Sequence, residues 1–168
     1  MNTTKLLKTM FKALDTKDKT SEYITGFIHC HNNDGVITMT ATNGHILLKT
    51  EILEDQLRVI GKIPATIYFR IIPNEVFAKL DSYNDHCYYD TVQRVIPSEY
   101  STTETYISFD PKYLTIAKEF LQITDDNTKL HLPHAQSQRP LDKEAAQIFK
   151  SKSTNSLVLQ MPLRHKEN

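Results

Sequence analysis

The chain has 168 residues, 39% of them hydrophobic and 24% charged, which is enough to bury one substantial core and ordinary for a soluble globular protein. Twenty Lys and Arg balance twenty Asp and Glu, so net charge gives no reason to expect nucleic acid, and any basic surface has to come from how the charges are distributed. No apolar run approaches the roughly 20 residues of a membrane span. The first residues, MNTTKLLKTMFKALDTKDK, interleave Lys with apolar side chains where a secretion signal would be uninterrupted, so a cytoplasmic protein with no membrane partner is expected. In that compartment Cys30 and Cys87, which form no CxxC pair, are expected as reduced thiols, not as a disulfide or a zinc site.

From Thr4 to Leu14 the residues Leu6, Leu7, Met10, Phe11, Ala13 and Leu14 fall on one face at helical spacing. The other side carries Lys5, Lys8 and Lys12, with Lys17 and Lys19 just beyond, a basic stripe that by itself is the usual way to wet a helix. Three strands are expected next: Glu22 to His31, then VITMTAT, then HILLKTEIL. Asn33-Asp34-Gly35 and Asn43-Gly44 separate them, and each pair offers the positive φ of a tight hairpin.

The pattern then recurs. IYFRII reads as a strand, Pro73 opens a short helix with Val76, Phe77 and Leu80, and CYYDTVQRVIP is extended. TYISF follows as a strand, and Asp110-Pro111 starts a helix whose apolar side is Tyr113, Leu114, Ala117, Phe120 and Leu121, with Lys112, Lys118 and Glu119 facing away. KLHLPH and SLVLQMPL close the chain as strands around a polar excursion over about 135–155, in which Leu141 to Lys150 is expected as a brief helix. The elements form three approximate strand-helix-strand units, and the fold class is α+β, with antiparallel sheet and helices on one face.

Catalytic and cofactor chemistry finds little footing. There is no nucleophile elbow and no H-E-x-x-H, and four glycines leave little for a phosphate-binding loop. His29 and His31 share a strand face around Cys30, and His131 and His134 are close in sequence, but spacing supplies no complete ligand set. A binding protein without cofactor or metal is expected.

Three segments carry a more specific signal: TATNGHILL (Thr40 to Leu48), YDTVQRVIP (Tyr89 to Pro97) and LQMPLR (Leu159 to Arg164). In this order they resemble the β-type sliding clamp, the processivity factor of bacterial DNA polymerase III, whose corresponding stretches read ATDGHRL, FPDYRRVLP and VMPMRL. The resemblance implies a clamp-like fold in which residues 1–97 are a shortened middle domain. Residues 98–168 are then the second half of the last domain packed on it as one body, the family's first domain being absent. Such a layout is what the resemblance leads one to expect of a shortened version from a phage, prophage or plasmid.

In the family the three segments converge on a groove for short peptides of polymerases, the clamp loader and repair proteins. Carried over by position, the groove would take Thr42, Gly44, His45 and Leu47 from the first segment, Arg94, Val95 and Pro97 from the second, and Met161, Pro162, Leu163 and Arg164 from the third. Leu47, Val95, Met161, Pro162 and Leu163 suit apolar anchors, while His45, Arg94 and Arg164 suit a polar rim. Asn43, Ile46, Asp90, Val92 and Gln93 depart from the family pattern, which alters the expected peptide preference. The resemblance further implies duplex DNA as a partner, met by Lys5, Lys8, Lys12, Lys112 and Lys118 through phosphates alone, and a homo-oligomeric ring of four three-unit chains. The alternative function is a regulator that sequesters clamp-binding factors, or binds the host clamp, without encircling DNA.

Overall fold

The computed structural model describes residues 2–15, 17, 25–73, 78–82, 110–124, 147–151 and 154–161. Helix α1 spans Thr3–Phe11, where the Asn2 side chain accepts a hydrogen bond from the Lys5 amide (3.0 Å) and satisfies one of the first-turn donors. Strands β1 (Ile28–Asn33), β2 (Val36–Thr42) and β3 (Ile46–Leu53) follow as an antiparallel meander. A short helix α2 (Glu54–Leu57) and a 3-10 turn (Arg58–Ile60) lead to β4 (Tyr68–Pro73), which pairs on the far side of β1. Strand β5 (Ala78–Ser82), helix α3 (Pro111–Thr124), and strands β6 (Gln147–Lys150) and β7 (Leu157–Gln160) complete the described elements. The strands form one sheet, antiparallel throughout, in the order β5-β4-β1-β2-β3-β7-β6.

Alternation explains how the sheet takes its helices. Ile28 and Cys30, Ile37, Met39 and Ala41, Ile46, Leu48 and Ile52, Phe69 and Ile71, and Val158 recur at period two and share one face. Against that face lie Leu6, Leu7, Met10 and Ala13 of the α1 region and Ile116, Ala117, Phe120, Leu121 and Ile123 of α3, in one core cluster. The α+β class, with antiparallel sheet and helices on one face, is therefore the observed architecture.

Several local expectations are corrected. Pro73 is the last residue of β4 and Leu80 lies in β5 opposite Ile71, so these two residues of the expected helix are strand, held by cross-strand pairing, while Val76 and Phe77 lie outside the described residues. Within the expected excursion and brief helix, residues 147–150 are strand β6, with Ile148 opposite Leu159 and Phe149 opposite Val158, while residues 135–146 lie outside the described residues. The first strand begins at Ile28, not Glu22. The first hairpin turns on Asp34 (φ 48°) and Gly35 (φ 86°), both left-handed as a two-residue turn requires, while the second uses Gly44 alone (φ 84°). Expected strands in TYISF, CYYDTVQRVIP and KLHLPH lie outside the described residues.

Candidate functional site

At one end of the sheet the β2–β3 loop is built by its own side chains. The Thr42 hydroxyl donates to the Ile46 carbonyl (2.8 Å) and accepts from the Gly44 amide (3.1 Å), and the Asn43 side chain accepts from the amides of His45 (3.0 Å) and Ile46 (3.1 Å). These bonds satisfy the tip internally and push Gly44 and His45 outward, both exposed, while Thr42 and Leu47 are buried. Thr42 is thus committed to holding the loop.

Strand β7 brings the third segment to the first. Leu159 pairs with Leu47 and Gln160 with Ile46, and beyond the ladder the Met161 amide donates to the His45 carbonyl at 2.8 Å. Met161 remains 38% exposed, an apolar, adaptable side chain left in water beside an exposed imidazole. Gln160 is fully buried, with neither end of its amide hydrogen-bonded, an unmet requirement that costs roughly 1–3 kcal/mol per group.

One component was not foreseen. The ring of Tyr113 stacks on His45 with centroids 5.8 Å apart and planes 20° apart, and the Lys112 ammonium lies 5.5 Å from the Tyr113 ring centre. Tyr113 is held there by the helix start: the Asp110 carboxylate accepts from the Lys112 amide (2.8 Å), its carbonyl accepts from the Tyr113 and Leu114 amides, and Pro111 supplies the fixed φ of the first turn. The sequence signal was Tyr three residues after Asp110, which read only as part of an apolar helix face.

Of the eleven residues assigned to the groove, Thr42, Gly44, His45, Leu47 and Met161 come together at this end of the sheet. Arg94, Val95, Pro97, Pro162, Leu163 and Arg164 lie outside the described residues. The five lysines are all exposed, on α1 or just past its end and on α3, which pack against each other. Lys12 is ion-paired with Glu119 (2.5 Å), so Glu119 joins the two helices instead of simply facing away.

Elsewhere, His29 is buried with its ring 4.8 Å from that of Phe27, and His31 stacks on Tyr68 at 4.9 Å. Among the described residues no three His, Cys, Asp or Glu gather as metal ligands. An open cleft of about 430 Å³ lies at the opposite end of the sheet, between the β1–β2 turn and residues 63–67. Among the described residues no helix is long and apolar enough to cross a membrane.

No protein-family model matches the chain, and no curated protein matches it. Solved structures do. The DNA polymerase III beta subunit from Thermotoga maritima aligns with a TM-score of 0.52 at 11% identity, covering 97% of this chain and 64% of that one. A provisionally named DNA polymerase III beta subunit from Eubacterium rectale aligns with a TM-score of 0.51 at 9% identity, covering 98% and 65%. The DNA polymerase sliding clamp from Bacillus subtilis overlaps less closely (TM-score 0.43, 13% identity, 97% and 63%). The chain spans less than two thirds of each of these proteins. What the likeness establishes is the fold: the α+β architecture described above is that of the DNA polymerase III beta subunits.

Proposed function

We propose that the chain is a non-enzymatic, sliding-clamp-like accessory protein of DNA replication that holds short clamp-binding peptides of a polymerase or of repair proteins and lays its helical face on duplex DNA. In this reading it is a shortened phage- or plasmid-type version acting in the cytoplasm, with units 1–97 and 98–168. The ladder between β3 of the first unit and β7 of the second supports their packing as one body.

The observation that carries the peptide reading is the convergence of the Thr42–Leu47 loop, Met161 and Tyr113, drawn from three distant parts of the chain, within a fold shared with beta subunits. His45 and Tyr113 give a flat aromatic wall, Met161 an adaptable apolar contact, and Gly44 room for a peptide backbone to approach. Arg94, Val95, Pro97, Pro162, Leu163 and Arg164 complete the proposed groove. The DNA reading draws on the exposed lysines of two adjacent helices, which would act on the phosphate field without reading sequence.

The test is titration of a fluorescent peptide carrying Gln, Leu and a terminal Phe. Wild type is expected to bind, and Met161→Ala combined with Leu163→Ala to weaken binding by roughly 30-fold, the loss typical of an apolar hot spot. No binding by wild type, or equal binding by the double variant, would sink the groove. A polymerase assay on primed circular DNA then separates stimulation by an accessory factor from inhibition by a regulator that withholds clamp-binding partners.

A further inference from the structure

The outward faces of α1 and α3 carry Lys5, Lys8, Lys12, Lys112 and Lys118, all exposed. Residues 3–12 contain no acidic side chain, and within Pro111–Thr124 the one acidic residue is Glu119. That carboxylate reaches across the helix pair to the ammonium of Lys12, at 2.5 Å, with the two side chains 36% and 52% exposed. An ion pair so open to water is weak and is easily exchanged for another anion.

We infer that Glu119 is a tethered competitor for phosphate: it occupies Lys12 when the helical face is bare, yields it when duplex DNA arrives, and so lowers both the affinity and the salt dependence of DNA binding. This rests on the DNA reading above and adds to it a residue that opposes binding. The physical logic is one of exchange. A lysine whose charge is already offset by its own chain brings little net positive charge to the DNA, so it displaces few of the cations condensed on the phosphates and adds little to the salt-dependent driving force. An accessory factor that must move along DNA is served by such a brake, because every phosphate contact has to be broken for it to advance.

The experiment uses the full chain and a short mixed-sequence DNA duplex, with binding followed by fluorescence anisotropy over a series of NaCl concentrations. Glu119→Gln is expected to bind roughly threefold more tightly at low salt, and its plot of log K against log salt to steepen by about 0.9. Lys12→Gln should change little in the wild-type background and should abolish the gain in the Glu119→Gln background. A purely structural role for the ion pair would alter thermal stability in both variants but not the salt slope. If wild type binds DNA and Glu119→Gln leaves the slope unchanged, or if its gain persists without Lys12, the competitor role is wrong while the DNA reading stands. If neither wild type nor Glu119→Gln binds at low salt, both fall together.

Discussion

Gly44 has a left-handed φ of 84° and nothing within 4 Å of the position a Cβ would take, so an alanine there meets backbone strain and no collision. Gly44→Ala is accordingly expected to lower stability by about 1–2 kcal/mol, measured by urea unfolding. A loss well below that would mean that the loop relaxes to another turn. Cys30 is buried in the sheet core, and burial pushes its thiol pKa well above the ordinary 9.0. The protonated thiol is the form that the fold favours. The Cys30 contribution is therefore fully present at neutral pH and is lost as pH rises past the ordinary thiol value toward the raised one, so stability should decline above pH 9.0. Cys30→Ala should lose that part of the alkaline decline, and an identical pH profile would refute the assignment. At this scale the sequence conveyed the turn glycines at 35 and 44. It could not convey that Thr42 spends its hydroxyl inside the loop, or that Tyr113 meets His45 from a helix far along the chain.

The helices were the most legible elements, because their starts and apolar stripes are written locally. Asn2 and Asp110 cap α1 and α3, and the apolar positions of both helices enter the core as their spacing implies. Asp110→Ala removes the carboxylate that accepts from the Lys112 amide and should lower stability by about 1 kcal/mol in thermal or chemical unfolding. The same variant loosens the turn that carries Tyr113, so it should also weaken peptide binding, and a stability loss without any change in binding would separate Tyr113 from the groove. Strands were less legible. β5 and β6 are short, and each becomes a strand by pairing with its hairpin neighbour, β4 or β7, only a few residues away, whereas strand propensity weighs each run by itself. The expected helices reaching Leu80 and Lys150 give way to strand at those ends for that reason.

For the whole molecule, β5 and β6 are the outermost strands of the sheet among the described residues, and an edge strand is a natural place for another copy to pair. A ring-forming chain should sediment as a species that grows with concentration toward a closed oligomer. A monomer persisting at high concentration would instead favour a regulator that engages peptides without encircling DNA. Seven strands of mixed sequence distance make one continuous surface, and that continuity places the loop at Gly44, the end of β7 and the start of α3 side by side.

The sequence by itself determined the α+β class, the amphipathic helices with their basic faces, the hairpins at Gly35 and Gly44, and the resemblance through three short segments. Each of these depends on periodicity or on a few adjacent residues, which a linear chain displays directly. Only the tertiary structure decided the sheet order, the strand identity of residues 78–82 and 147–150, the stacking of Tyr113 on His45, and the capture of Lys12 by Glu119. Those features arise where separate elements meet, across a hairpin for residues 78–82 and 147–150 and across distant parts of the chain for the side-chain contacts, and their energies exist only once the chain has folded.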